Sequence, residues 1–374
     1  MEAIDTKFSL EDISPDWPVE KAKHARDLCT AFLNAPAKNR FLFGRNVYTT
    51  AVLERLKVAG VIDDFTDETS INGIPIIRMD GLPKDAFVLA LSGGRPLTVR
   101  RLLEEKGVQY IDYFSLLKWG NLDLPEAIFN EGFSDNIVKN VSEVAWLYDL
   151  LSDEISRSTL RKLFKFRHSY DLDSLDGFTD REKEQYFDPI LDIKEDSPVF
   201  LDVGGFDGFT TQEFIRRYPK FKASYVFEPE PDNFQVCIDA KAQHENVTVF
   251  PFGASDENRK IRFTADGSAS RISDDGDMTL EVRRIDDVID TDVTFIKMDI
   301  EGAEQQAIRG AKATIAKHRP HMAISVYHRP SDFWEIPKLV LSISPNYKVY
   351  LRHYTESIYE TIMYFVPHDF SDLS

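Results

Sequence analysis

Apolar positions along the chain fall into two rhythms. Short apolar runs that end in glycine or an acid predict buried strands, and apolar residues spaced three and four apart predict helices laid over them. Between residues 41 and 120 the runs Phe41-Leu42-Phe43-Gly44, Val58 to Asp64, Phe87 to Leu91 and Val108 to Asp112 predict strands. Helices are expected from Asn46 to Lys57 and from Pro96 to Lys106, the second closed by Gly107 as a C-cap. Strands alternating with helices predict a small parallel, Rossmann-like α/β domain, preceded by a helical lead-in over residues 1–40. From 121 to 195 the pattern turns helical. Ile137, Val141, Val144, Tyr148, Leu151 and Ile155 alternate spacings of four and three, which predicts one buried helix face in a connector.

The segment 196–374 has the clearest rhythm. Strands are expected at Pro198 to Gly205, Ala223 to Glu230, Val247 to Ala254, Thr294 to Met298 and Met322 to Tyr327. Helices are expected at Phe209 to Tyr218, Pro231 to Gln243 and Glu304 to Lys317, with extra short strands and a polar loop within 259–289. A helix through Leu339 to Ile343 stops at Pro345, and the strands Tyr347 to Tyr354 and Glu360 to Val366 then follow with no helix between them. The fold class is α/β, with a seven-stranded Rossmann-like sheet in the C-terminal half after a smaller α/β domain and a helical connector.

Composition narrows the chemistry. The 374 residues suit two domains, and a hydrophobic fraction of 43% is enough for packed cores. With 45 Lys and Arg against 63 Asp and Glu, the net charge of −18 repels phosphate backbones, so no nucleic-acid partner is expected. Cys29 and Cys237 are too few for a disulfide framework or a thiolate metal cluster and read as buried thiols. The start, Met1-Glu2-Ala3-Ile4-Asp5, lacks a secretory pattern, and no apolar stretch reaches membrane-spanning length. A cytoplasmic protein without an integral membrane segment is expected; nothing in the pattern names its oligomeric state.

Candidate chemistry sits where predicted strands end, the edge at which open α/β sheets bind ligands. The run Leu201-Asp202-Val203-Gly204-Gly205-Phe206-Asp207-Gly208 carries a strand into a glycine turn before a helix. Asp202 would repel a pyrophosphate and suits a cationic group instead. Glu228, 26 residues later, ends the next strand at Phe227-Glu228-Pro229, where a carboxylate can accept both ribose hydroxyls. Lys297-Met298-Asp299-Ile300-Glu301-Gly302-Ala303-Glu304 releases Asp299, Glu301 and Glu304 in quick succession. Such acids repel one another unless they meet a cation, a metal or sugar hydroxyls, although Glu304 also fits the first turn of a helix. His328 ends the following strand and has the ordinary pKa, about 6.5, of a general base; His353 is a second, weaker histidine. In the N-terminal unit, the Gly44-Arg45-Asn46 turn is a candidate anion cradle.

Taken together, Leu201-Asp202-Val203-Gly204, Phe227-Glu228-Pro229, Ile285-Asp286-Asp287-Val288 and the Lys297 to Glu304 run resemble the FkbM family of S-adenosylmethionine-dependent methyltransferases. The resemblance extends from about Tyr186 to Val366, and Phe206 departs from it where many methyltransferases have a further glycine. It implies O-methylation of a sugar, glycan or related polysaccharide precursor. The donor would lie on Asp202, Gly204, Gly205 and Asp207 at the first strand end, Glu228 and Pro229 at the second, and Ala254 and Ser255 at the third. The acceptor would lie near Asp299, Glu301 and His328, with His328 as base and Asp299 orienting the hydroxyl; a divalent ion on Asp299 is the alternative way to activate it. Two other functions use similar parts: a nicotinamide-dependent sugar oxidoreductase and a non-catalytic module that binds a glycan or nucleotide sugar.

Overall fold

The computed structural model describes residues 8–241, 244–264, 271–272 and 278–368. The chain divides into two compact units: Met1–Val138 with Leu160–Glu182 and Tyr354–Tyr359, and Lys139–Thr159 with Lys183–His353 and Glu360–Ser374.

The first unit holds α1 (Val19–Asn34), β1 (Arg40–Phe43), α2 (Val47–Leu53), β2 (Gly60–Ile62), β3 (Ser70–Ile71), β4 (Ile74–Ile77), β5 (Phe87–Ala90), α3 (Pro96–Glu105), β6 (Gln109–Asp112) and α4 (Tyr113–Trp119). Its six strands are ordered β3-β4-β2-β1-β5-β6 and are parallel except for the β3–β4 hairpin. That hairpin turns on Asn72 (φ 49°) and Gly73 (φ 78°), both left-handed. An Asn-Gly pair between apolar residues is a strong local hairpin signal, absent from the strands expected above. Phe41, Ile62, Val88, Val99 and Leu103 fill the core. The Gly44-Arg45-Asn46 turn is committed internally: Arg45 pairs with Glu68 at 2.7 Å and Asp63 at 3.4 Å, and the Asn46 side chain caps α2.

The apolar stripe of the connector does not lie on one helix. It is divided among α5 (Phe133–Lys139), α6 (Val141–Leu150) and α7 (Glu154–Ser169). Asp153 restarts the chain after Leu151 by accepting the Ser156 N–H at 2.8 Å and its hydroxyl at 2.6 Å. Ile137, Val144, Tyr148 and Leu151 are buried as the spacing required, whereas Ile155 falls beyond the break and is 62% exposed.

The second unit is a mixed α/β fold. It contains β7 (Val199–Val203), α8 (Phe209–Arg217), β8 (Ala223–Phe227), α9 (Pro231–Ala240), β9 (Val247–Phe250), β10 (Gly253–Ala254), β11 (Arg259–Thr264), β12 (Arg271–Ile272), β13 (Met278–Arg283), α10 (Ile285–Val288), β14 (Phe295–Met298), α11 (Glu304–Gly310), α12 (Lys312–His318), β15 (His321–Ser325), α13 (Asp332–Ile343), β16 (Tyr347–His353) and β17 (Thr361–Pro367). The seven-stranded sheet runs β16-β17-β15-β14-β7-β8-β9. Only β17 runs against its neighbours, because the last two strands form a hairpin instead of a helical crossover. Residues 253–283 contribute a separate four-stranded sheet, β10-β13-β11-β12, so the apolar run from Val247 is two strands in different sheets. The helix expected from Glu304 to Lys317 is broken at Ala311. A Cβ on Gly310 would come within 1.9 Å of the Ser255 carbonyl oxygen, so glycine is required where that backbone crosses the helix.

Register sets the functional edge. Val203 pairs with Phe227 and Met298, and Met298 with Ile324. Three of the strand ends are therefore level and β15 runs one residue further, so Gly204, Glu228, Asp299 and Val326 follow the strands at one edge. Phe200 stacks on Phe214 at 4.5 Å and on Phe295 at 5.0 Å beneath it, anchoring the strands in apolar packing.

Candidate active site

Two side-chain clusters form along this edge. The first surrounds the glycine turn after β7. Gly204 (φ 94°) has no room for a side chain, since its Cβ would lie 2.0 Å from the Asp299 carbonyl oxygen. A Cβ on Gly205 would lie 2.4 Å from Val226 and 2.9 Å from the Cys237 sulfur. The glycines thus let neighbouring strand ends close on each other, a use additional to the ligand approach read from sequence. Phe206 takes φ 47° and is 64% exposed. Its N–H donates to Glu228 Oε2 at 2.7 Å and its carbonyl accepts the Cys237 thiol at 3.4 Å, which holds the disfavoured conformation.

Asp202 is fully buried. Its Oδ2 accepts the Thr211 hydroxyl at 2.7 Å, and its Oδ1 lies 3.1 Å from Lys297 Nζ. The ammonium also donates to the Gly204 carbonyl and lies 5.1 Å above the Tyr186 ring. Burial alone would lower the Lys297 pKa, but Asp202 and then Asp299 raise it. The charge of Asp202 is therefore answered within the protein. Glu228 is 5% exposed and accepts the N–H groups of Phe206 and, at 2.9 Å, Glu230. Burial raises its pKa against those two bonds. Pro229 follows it beside Gly253. Asp207 is exposed and accepts the Phe209 N–H at 2.9 Å. Ala254 lies buried in β10, and the Ser255 N–H donates to the Arg283 carbonyl at 2.9 Å.

The second cluster joins the ends of β14 and β15. The His328 side chain is 1% exposed, with Nδ1 at 3.1 Å from Glu304 Oε1 and Nε2 at 3.4 Å from Asp299 Oδ1 and 3.5 Å from Glu301 Oε2. Burial by itself would lower this imidazole; the carboxylates of Glu304, Asp299 and Glu301 outweigh it and raise the pKa to about 10. Glu304 is completely buried and accepts the Ile300 N–H at 2.9 Å. Burial would raise its pKa, yet His328 holds it below the usual range. Glu301 stands at φ 55°, and burial with Asp299 and Glu304 pushes its carboxyl up to about 7 against the pull of His328. Asp299 Oδ2 accepts the Tyr186 hydroxyl at 2.5 Å. Asp332, 1% exposed, accepts from Gln305 at 2.9 Å and is raised by burial to about 7.

The structure brings Asp299, Glu301 and His328 together and places Asp202, Gly204, Gly205 and Glu228 at the adjoining strand ends. It sets His353 apart: that ring is buried within the β16–β17 ladder against the Thr361 hydroxyl at 2.9 Å. Sequence reasoning passed over Lys297, Tyr186 and Asp332. Lys297 had a signal, a lone charge inside the apolar run Phe295-Ile296-Lys297-Met298; Tyr186 had none. Asp299, Glu304 and His328 each offer an atom, all within 4.8 Å of one another, a spread one divalent ion can gather. The imidazolium already answers the acids there, and an ion would have to displace its proton.

Residues 202–366 match the family described as methyltransferase FkbM domain. The 2-O-methyltransferase NoeI of Sinorhizobium fredii (strain NBRC 101917 / NGR234) is 28% identical over 153 residues, 34% of this chain and 63% of NoeI, so the chain spans under two thirds of that relative. The crystal structure of methyltransferase FkbM from Methylobacillus flagellatus KT aligns with a TM-score of 0.70 at 23% identity, over 94% of this chain and 100% of that one, and shows the shared fold. Among the described residues, no helix is long and apolar enough to cross a membrane.

Proposed function

We propose, from the premise that residues 202–366 are an FkbM methyltransferase domain, that this protein transfers a methyl group from S-adenosylmethionine to a hydroxyl of a sugar or glycan. The observation that carries the reading is a surplus of acid at one sheet edge. Five acids, Asp202, Glu228, Asp299, Glu301 and Glu304, meet three cations there: Lys297 beside Asp202, His328 shared by Glu304, Asp299 and Glu301, and Arg329 beside Gly302. That surplus fits a donor bearing a sulfonium and an amino group. Glu228, facing the glycine turn, suits the ribose hydroxyls; the turn itself suits the amino-acid part. The 2-O-methyltransferase relative supports a hydroxyl acceptor.

S-adenosylmethionine supplies an electrophilic methyl, so the protein's tasks are alignment and removal of the hydroxyl proton. Alignment contributes about 7–11 kcal/mol in well-oriented systems. His328, read from sequence as the base, is protonated at neutral pH in this setting and serves better to hold Asp299 and Glu301 in place. Glu301, near 7, is tuned to accept a proton at working pH, and Asp299 orients the hydroxyl. Direct attack by a positioned oxygen requires no divalent ion. An oxidoreductase reading loses ground because the acids crowded at this edge repel a dinucleotide's phosphates, and two of the cations there, Lys297 and His328, are already paired with acids.

The test is calorimetric titration with S-adenosylhomocysteine for wild type and Glu228→Gln, followed by labelled-methyl transfer to a panel of methyl glycosides and sugar nucleotides. Binding weakened about tenfold or more in the variant, with label appearing on a hydroxyl, supports the proposal. Failure of the wild type to bind S-adenosylhomocysteine sinks it; binding by a protein that labels no member of the panel removes the sugar acceptor.

A further inference from the structure

We infer that Tyr186 is a positioning residue, setting the Asp299 carboxylate for the acceptor hydroxyl; this rests on the role proposed for Asp299. Tyr186 lies before the matched stretch 202–366, yet its buried side chain reaches the candidate active site. The hydroxyl donates to Asp299 Oδ2 at 2.5 Å. Oδ1, which has no hydrogen-bond partner, is thereby directed to the side where His328 Nε2 lies at 3.4 Å. The aromatic ring lies beneath the Lys297 ammonium at 5.1 Å. One side chain therefore supports the ammonium that grips the glycine turn and fixes the rotation of the acid that faces the acceptor.

Tyr186 also adopts φ 69°, a left-handed conformation that a bulky residue disfavours. Such strain persists only where the surroundings over-determine it, and it clusters at functional sites. If Tyr186 only filled space, phenylalanine would serve equally well. If it sets Asp299, the hydroxyl is indispensable.

The experiment compares wild type, Tyr186→Phe, Asp299→Asn and the double variant. Thermal unfolding and near-ultraviolet circular dichroism establish that each is folded. The readouts are kcat and KM for labelled-methyl transfer to methyl glycosides, with S-adenosylhomocysteine affinity measured alongside. Tyr186→Phe is expected to lower kcat by about 10- to 100-fold with S-adenosylhomocysteine affinity unchanged. The double variant is expected to be no slower than Asp299→Asn, because residues that act through one another are non-additive. Wild-type kcat in Tyr186→Phe, or strictly multiplicative losses in the double variant, overturn the inference. An Asp299→Asn protein with undiminished kcat overturns the parent role of Asp299 and this inference with it. A downfield proton resonance from the phenol, lost in both single variants, reports the contact without any acceptor; its absence in the wild type also refutes the positioning role, whatever the glycosides show.

Discussion

His328 Nδ1 and Glu304 Oε1 face each other at 3.1 Å with both side chains buried, so each charged form exists in the fold because of the other. Their linkage to pH has opposite signs. Glu304 is lowered by folding, so its contribution is present above its unfolded pKa of about 4.3 and is lost as pH falls through the lower folded value. His328 is raised from 6.5 to about 10, so its contribution is complete below 6.5 and disappears as pH climbs toward 10. Urea unfolding at a series of pH values should therefore show wild-type stability falling between pH 6.5 and 10 more steeply than that of His328→Gln. Parallel curves for the two proteins would mean that the imidazole is neutral in the fold.

The pH dependence of turnover separates the two candidate bases. With Glu301 as base, kcat rises as its carboxyl ionises near 7 and levels above that. Were His328 the base, kcat would keep rising toward the pKa near 10. Glu301→Gln is expected to lower kcat by roughly 10²–10⁴-fold, the usual contribution of a positioned base. A wild-type profile still climbing at pH 9, with Glu301→Gln near normal, would return the base to His328.

The strand ends were legible in the sequence because buried parallel strands are continuous apolar runs, and the acid that terminates each is visible where the run stops. Asp202, Glu228 and Asp299 were placed at the edge in this way, and His328 as the histidine that follows the next run. Their charge states were not legible, since these depend on partners brought in by other strands: Lys297 for Asp202, and three carboxylates for His328. The connector misled for a local reason. Its spacing continued across Leu151, but Asp153 offered the backbone a cap and ended the continuity. The need for glycine at 310 came from a distant carbonyl, that of Ser255, which no local pattern announces.

The ion pair of Lys297 with Asp202 should be costly to halve and cheaper to remove whole. Lys297→Met leaves a buried carboxylate without its cation, and about 3–5 kcal/mol of stability should be lost. Asp202→Asn combined with Lys297→Met removes both charges, and much of that loss should return. Urea unfolding of the two singles and the double measures this. Simple additivity would show that the 3.1 Å contact contributes little, and that Lys297 matters chiefly through its bond to the Gly204 carbonyl.

Chelation discriminates between the two ways of activating the acceptor. In the metal-free scheme the three candidate ligands already carry a positive charge of their own, the imidazolium of His328, and an added divalent ion must compete with that proton. Competition of this kind weakens metal binding most at low pH, where the ring is hardest to deprotonate. Turnover after exhaustive treatment with EDTA is therefore expected to match that of the untreated protein at pH 7, and added Mg²⁺ or Mn²⁺ to leave it unchanged. If EDTA abolishes turnover and a stoichiometric divalent ion restores it, Asp299, Glu304 and His328 are ligands, the hydroxyl is activated by the ion, and Glu301 loses its role as the principal base.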